Sequence, residues 1–150
     1  MQTQATLNML AALDRSDIEQ RVRDLFEARR LGDHARMLSI MSPNIIYQVV
    51  GAWELYPFYG RREGIEAIRD MLLRLNQDFE NLGSEIHDIL IDGETVAIRR
   101  TAILRHRGTS KVGSVGIVDF LRFRDGLIIE VSEYPDTATV GKLAGIYDSD

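Results

Sequence analysis

Cysteine is absent from the 150 residues, and with it go disulfide cross-links, a thiolate nucleophile and thiolate-bound zinc or iron. The same absence suits a reducing compartment, so the cytoplasm is the expected location. Proline is scarce, at three residues, and no Gly/Ser tract, low-complexity run or fixed-period repeat divides the chain. One domain over 1–150 is expected, with a folded core at about 16–143 and loose ends. No apolar run approaches the roughly 20 residues of a membrane-spanning helix, and residues 1–13 lack the basic start and continuous apolar stretch of a secretory signal. Basic residues are outnumbered, 18 Lys and Arg against 23 Asp and Glu for a formal charge of −5. Nucleic acid and membrane are therefore not expected as partners.

Chemistry-bearing motifs are also few. GxGxxG, GxxxxGKS/T and GxSxG do not occur, and the glycines between Gly108 and Gly116 precede a strand, which argues against a phosphate cradle. His34, His87 and His106 are not spaced as a metal pair, so no metal and no cofactor are expected. What the chain does hold is 45% apolar and 27% charged residues, enough to enclose both a core and a pocket.

Ser16-Asp17-Ile18-Glu19 reads as a capping box that starts a helix. Ile18, Val22, Leu25 and Phe26 give that helix one apolar face, Arg29 and Arg30 suit its carbonyl end, and Gly32 is a left-handed stop. Asp33 caps a shorter helix carrying Met37, Leu38 and Met41, which ends at Ser42-Pro43. Residues 45–50 read as strand. The segment 51–60 places Trp53, Tyr56, Phe58 and Tyr59 between two glycines and is expected to be covered. From Arg62, the residues Ile65, Ile68, Leu72, Leu75 and Phe79 keep helical spacing. Beyond Gly83 the pattern changes to period two, with strands at 84–91, 94–107, 112–123 and 127–134. Asp136 caps a last turn over 137–143.

Turn chemistry sets a register. A two-residue Asp92-Gly93 turn pairs Ile89 with Val96, His87 with Ile98 and Glu85 with Arg100. A four-residue loop at 108–111 pairs Arg100 with Asp119, Ala102 with Ile117 and Leu104 with Val115. A three-residue loop at 124–126 pairs Phe123 with Leu127, Leu121 with Ile129 and Asp119 with Val131. All three turns gather one apolar face: Ile89, Val96, Ile98, Ala102, Leu104, Val115, Ile117, Leu121, Phe123, Leu127, Ile129 and Val131. Arg100, Asp119, Glu133, His87 and Glu85 share it. The other face mixes Asp88, Arg99, Thr101, Arg105, Ser114, Arg122 and Glu130 with Ile86, Ile103 and Phe120, which suits solvent or a subunit contact, the partly apolar interface being preferred. Charges on an apolar concave face are costly unless paired, so Arg100 with Asp119 is either a structural cross-strand salt bridge or part of a ligand site.

Three segments carry a resemblance: Ala28-Arg29-Arg30-Leu31-Gly32-Asp33, Tyr59-Gly60-Arg61-Arg62-Glu63-Gly64-Ile65, and Asp119-Phe120-Leu121-Arg122-Phe123-Arg124-Asp125-Gly126. With the order helix pair, strand, aromatic loop, helix and meander, they resemble the NTF2-like superfamily, in particular its SnoaL-like branch, over about Ser16 to Leu143. The resemblance implies an α+β fold: N-terminal helices packed on a strongly curved antiparallel sheet that encloses an apolar pocket in a cone. It also implies a homodimer, and chemistry of the isomerase, polyketide cyclase, dehydratase or epoxide hydrolase kinds, performed without a cofactor. Non-enzymatic binding modules share the shape, so function rests on the site.

Set against ketosteroid isomerase, Asp119 falls at the protonated, hydrogen-bond-donating aspartate, while Leu25 and Val49 stand where a tyrosine and a general base are expected. Set against limonene epoxide hydrolase, Arg100 matches the arginine, Glu133 falls at the last-strand acid and Tyr47 at the water-positioning tyrosine, while Ala102 and Val49 replace an aspartate and an asparagine. A SnoaL-type cyclase needs a late-strand carboxylate, which Asp119 or Glu133 supplies. The expectation is acid/base chemistry on a small apolar carbonyl- or epoxide-bearing molecule, with Asp119, Glu133 and Arg100 as catalytic groups. Tyr47, His87, Trp53, Tyr56, Phe58, Ile98, Ala102, Ile117 and Val131 are the candidate substrate contacts, and the homodimer uses the outer sheet face. The alternative is a non-catalytic ligand-binding or dimerisation module.

Overall fold

A computed structural model of the chain describes residues 13–52 and 59–147. The expected loose ends, and Trp53, Tyr56 and Phe58 of the aromatic loop, lie outside the described residues. Helix α1 (Arg15–Leu31) turns Ile18, Val22, Leu25, Phe26 and Ala28 inward and ends at Gly32, whose φ of 69° is the left-handed stop its sequence position required. Its start differs from expectation. Asp14 is the cap, accepting from the Asp17 amide at 2.8 Å, so Ser16 lies inside the first turn. Asp33 caps α2 (His34–Ser39), which stops before Met41.

Strand β1 (Met41–Val49) begins earlier than expected because Met41 pairs with Ile128. The ladder then skips to Ile46, and Pro43, which has no N–H to donate, sits in the skipped stretch. Strand β2 (Gly60–Glu63) returns antiparallel along β1. It was not visible as a strand, since Arg61-Arg62-Glu63 is short and charged, the usual make-up of an edge. Gly51 is needed where the chain leaves β1, because a Cβ there would stand 2.6 Å from the buried Tyr59 ring. Helix α3 (Ile65–Asp78) buries Ile68, Met71 and Leu72; Phe79, read as its last residue, is the first of the next strand.

The meander is β3 (Phe79–Asp92), β4 (Thr95–His106), β5 (Val112–Arg124) and β6 (Leu127–Pro135), followed by α4 (Thr137–Leu143), which Asp136 caps as expected. The six strands form one curved, unclosed sheet in the order β2-β1-β6-β5-β4-β3. Every pairing is antiparallel except β1 with β6, which run parallel. Helix α1 packs against β3, α3 against β1 and β3, and α4 against β5.

All three meander registers differ from expectation: the first two by two residues, and the third by one at its turn, where Arg124 pairs with Leu127, and by two beyond the bulge that follows. Asp92 pairs with Thr95, moving the first turn to Gly93-Glu94. Arg100 pairs with Ile117, and Ile98 with Asp119. The third turn is the pair Asp125-Gly126, both with positive φ, the requirement of the tight hairpin whose twist matches its strands; Asp119 therefore pairs with Glu133 and Leu121 with Val131. A shift of two keeps every side chain on its own face. Val96, Ile98, Ala102, Leu104, Val115, Ile117, Leu121, Phe123 and Val131 are accordingly buried.

Bulges make the local exceptions. One between Ile86 and Asp88 moves Ile86 opposite Arg100 and puts Glu85 opposite Thr101. His87 then hydrogen-bonds Thr101 Oγ1 at 2.8 Å in an exposed position, away from the pocket face expected for it. A bulge in β6 puts Ile128, instead of Ile129, opposite Phe123 and in the core. Bulges bend and twist the strands that carry them, which suits a sheet that must curve.

The cap location is checkable by urea unfolding. Asp14→Ala should cost about 1 kcal/mol, whereas Ser16→Ala, exposed and inside the helix, should stay within about 0.5 kcal/mol of wild type.

Candidate functional site

Arg100 on β4, Asp119 on β5 and Glu133 on β6 come from three adjacent strands and point to the same side of the sheet. They are 2%, 2% and 8% exposed, the buried charged residues among those described. Arg100 Nε donates to Asp119 Oδ2 at 2.7 Å, and its Nη2 reaches Asp119 Oδ1 at 3.4 Å and Glu133 Oε1 at 3.0 Å. Its Nη1 donates to Ser84 Oγ at 3.3 Å. The guanidinium carbon lies 4.4 Å from the centroid of the Phe26 ring on α1, a cation–π contact in a desolvated place. One arginine thus takes two carboxyl groups, a hydroxyl and an aromatic face. Asp119 lies next to Glu133 through the β5–β6 register, and Arg100 reaches both diagonally from β4.

Burial works against the charge on Arg100, but the Asp119 and Glu133 carboxylates outweigh it and hold the guanidinium above its ordinary range. Glu133 moves the other way. Burial first, and then the charge of Asp119, push its carboxyl up, and the pull of Arg100 and Arg29 does not cancel them. One cation shared by two buried acids leaves one acid favoured to keep its proton. Tyr47, buried on β1, is raised mainly by burial, then by Glu133, and stays a neutral phenol. Burial also pushes Tyr59 up to about 12, with Glu133 among the charges acting on it.

A narrow cleft, partly open to solvent, adjoins this cluster. Arg29, Arg100 and Glu133 supply its polar wall. Leu75, Phe79, Ala102, Leu104, Val115, Ile117, Pro135 and Val140 supply the apolar one, and Asn81 also lines it. A second, smaller inner cavity also touches the cluster, lined by Tyr47, Val131, Asp119, Arg29, Arg100 and Glu133 with Leu25, Phe26, Met37, Met41 and Leu121. Of the expected contacts, Ala102 and Ile117 therefore line the first cavity and Tyr47 and Val131 the second. Ile98 is core, opposite Asp119, and borders neither. His106 organises the β4–β5 turn, accepting from the Thr109 amide at 3.0 Å and standing edge-on to Phe79. Among the described residues no group of three or more His, Asp or Glu is placed to hold a metal ion, and no helix is long and apolar enough to cross a membrane.

Sequence reasoning missed Arg29, Phe26 and Ser84. Arg29 was read only as a match for the helix dipole. Its position one turn after Leu25, on the stripe that faces the sheet, was the available signal.

A family model for the SnoaL-like domain matches residues 22–131. The chain belongs to the SnoaL-like domain family. No curated protein matches it. Among solved structures, an NTF2-like protein from Burkholderia xenovorans is similar, with a TM-score of 0.73 at 21% identity over 89% of this chain and 99% of that one. An LEH-like epoxide hydrolase from M. tuberculosis gives a TM-score of 0.69 at 20% identity over 87% and 92% of the two chains. A protein of ketosteroid isomerase-like fold from Catenulispora acidiphila, in complex with trimethylamine, gives 0.71 at 16% over 83% and 92%. At these identities the likeness establishes the SnoaL-like chain's fold and leaves its reaction to the residues.

Two predictions follow from the buried cluster. Arg100→Met strands two carboxyl groups and should cost about 3–5 kcal/mol, whereas Arg100→Met with Asp119→Leu should recover most of that loss, because Glu133 alone can keep its proton; urea unfolding compares the two. The second concerns pH. A carboxyl raised in the fold holds a proton that the unfolded chain releases, so its contribution to stability falls as pH rises from about 4.3 through the folded pKa. Unfolding free energy should fall as pH rises above about 4.3, the unfolded value, and Glu133→Gln should remove that part of the slope; an unchanged slope would mean that Glu133 ionises normally.

Proposed function

We propose that this SnoaL-like protein is an enzyme that moves a proton on a small, largely apolar carbonyl- or epoxide-bearing molecule bound in the cleft, without a cofactor. The observation that carries this reading is Glu133: a carboxyl raised by burial and by Asp119, bordering an apolar cleft, with Arg100 Nη2 3.0 Å from its Oε1. A carboxylic acid that is neutral at rest can give its proton to a carbonyl or epoxide oxygen, and the carboxylate it leaves is met by the guanidinium already in place. The same carboxylate can then take a proton from carbon, which closes an isomerisation or cyclisation. Asp119 fixes Arg100 through both of its oxygens and pushes the Glu133 carboxyl up, and Tyr47 supplies a neutral hydroxyl to the inner cavity.

One observation favours the reading as a binding module: every nitrogen of the Arg100 side chain is already engaged within the protein. The carboxylates decide between the two. In a screen of carbonyl and epoxide compounds, Glu133→Gln and Asp119→Asn should stay folded and lose turnover by about 100-fold or more. Equal turnover in the two variants and wild type would overturn the enzyme reading.

The outer face of the sheet carries exposed Phe120 and Tyr134, ring to ring at 6.1 Å, with exposed Leu90 on β3. Arg99–Asp88, Arg105–Glu80 and Arg122–Glu130 ion pairs lie across its strands. Such a mixed face is the one proposed to form a homodimer. Sedimentation at micromolar concentration should give a dimer, and a monomer there would refute it.

A further inference from the structure

The cluster leaves one cation unmatched. Arg30, next in sequence, is taken by Glu27 at 2.6 Å on the exposed side of α1. Arg29 faces the other way, toward the sheet, and among the described residues it forms no ion pair. Its Nε is shielded from solvent and has no hydrogen-bond partner, the one such buried side-chain nitrogen or oxygen among the described residues. Leaving a buried donor unmade is costly, and more so on a charged group. An arginine kept this way has an acceptor missing.

Its surroundings say where that acceptor belongs. Arg29 borders the open cleft with Arg100 and Glu133, the inner cavity with Tyr47 and Asp119, and a third cavity with His34 and Asn76. Its charge already acts on Glu133, Tyr47 and His34, yet none of these makes a hydrogen bond with it. Asp119 is committed to Arg100 through both oxygens. Glu133 accepts from Arg100 Nη2 at 3.0 Å, so both acids of the cluster are met by Arg100, and among the described residues Arg29 is left without an ion pair beside an apolar cleft.

We propose that Arg29 is the anchor for a carboxylate on the ligand, which makes the ligand of this site a small monoanionic carboxylic acid with an otherwise apolar body. A planar guanidinium matches a carboxylate, which can take two N–H donors at once. One guanidinium without an ion pair matches one carboxylate, whereas a phosphate dianion would bring a second negative charge with no further unpaired cation among the described residues at the cleft to meet it. The carboxylate held at α1 leaves the apolar body along Leu75, Leu104 and Ile117, with Glu133 beside it. This rests on the cleft being a ligand site, as proposed above, and does not require turnover.

The probes are phenylacetate and cinnamate, with phenylacetamide and cinnamamide as their neutral counterparts. The readouts are affinity by titration and the Nε–H resonance of Arg29 in nitrogen-15 NMR of the wild-type protein. Both acids should shift that resonance, and each should bind at least tenfold tighter than its amide. Arg29→Met should abolish the preference and Arg29→Lys should keep part of it. Equal affinity for acid and amide, a preference that survives in Arg29→Met, or an Arg29 Nε–H unmoved by either acid would each overturn the proposal. If Arg29→Met does not fold, the wild-type resonance and the acid-to-amide ratio decide alone. Turnover separates this from the enzyme reading. Acid binding through Arg29 with no dependence of turnover on Glu133 leaves a carboxylate-binding module, whereas Glu133-dependent turnover of neutral compounds only, with no Arg29 shift, removes the anchor and keeps the enzyme.

Discussion

Burying a guanidinium is among the most expensive things a small domain can do, and Arg100 sits at 2% exposure in the middle of this sheet. It is tolerable there because two carboxyl groups, a serine hydroxyl and a phenylalanine ring meet it from four different elements. The condition works in both directions. β4, β5 and β6 must hold their registers for the acids to arrive, and α1 must lie across the concave side for Phe26 to cover the cation. A register slip by one residue would send Asp119 or Glu133 to the outer face and leave Arg100 short of a countercharge, a penalty that helps to specify the pairing.

The surplus acid is the other side of this arrangement. A single buried pair would be electrically closed and chemically quiet. A second carboxyl on the same cation cannot be neutralised by it to the same degree, and the result is a carboxyl pushed up from its usual range beside a cleft. Leu25 and Val49 are both buried apolar residues. The polar chemistry is thus concentrated at the β4–β6 end of the site and at Arg29. The SnoaL-like family supplies the cone, and the choice of polar residues within it belongs to this chain.

The order of elements, the cap at Asp33, the stop at Gly32 and the final helix after Asp136 were all legible in the sequence, because each depends on a local signal of a few residues. The inward face was legible for a different reason. Turn geometry was misjudged at all three hairpins, but the first two errors were of two residues, the third was of one residue at its turn and became two beyond the β6 bulge, and period two forgives an even error. It does not forgive an odd one, and the bulge near His87 is odd: it took His87 and Glu85 off the face and brought Ile86 onto it. Bulges leave no clear mark in a single sequence, since the alternation on either side of them remains intact. The charged edge strand β2 was hidden by composition. Arg29 was hidden by a sufficient local explanation, the helix dipole, which gave no reason to look across to Glu133.

The parallel pairing of β1 with β6 joins the earliest strand of the chain to the latest. Val49 lies in register with Glu133, and the Val50 amide donates to the Glu133 carbonyl at 2.8 Å. The wall between Tyr47 and Glu133 is therefore closed by contacts between residues very far apart along the chain, the kind that form only after much loop-closure entropy has been overcome. During synthesis the helices and the first hairpins of the meander can form as they emerge, but the acid at the centre of the site meets its neighbours on β1 only when the last strand has been released. Completion of the chain is thus what closes the cluster: a chain truncated before β6 can hold much of the secondary structure but lacks Glu133 and the β6 partners of β1 and β5.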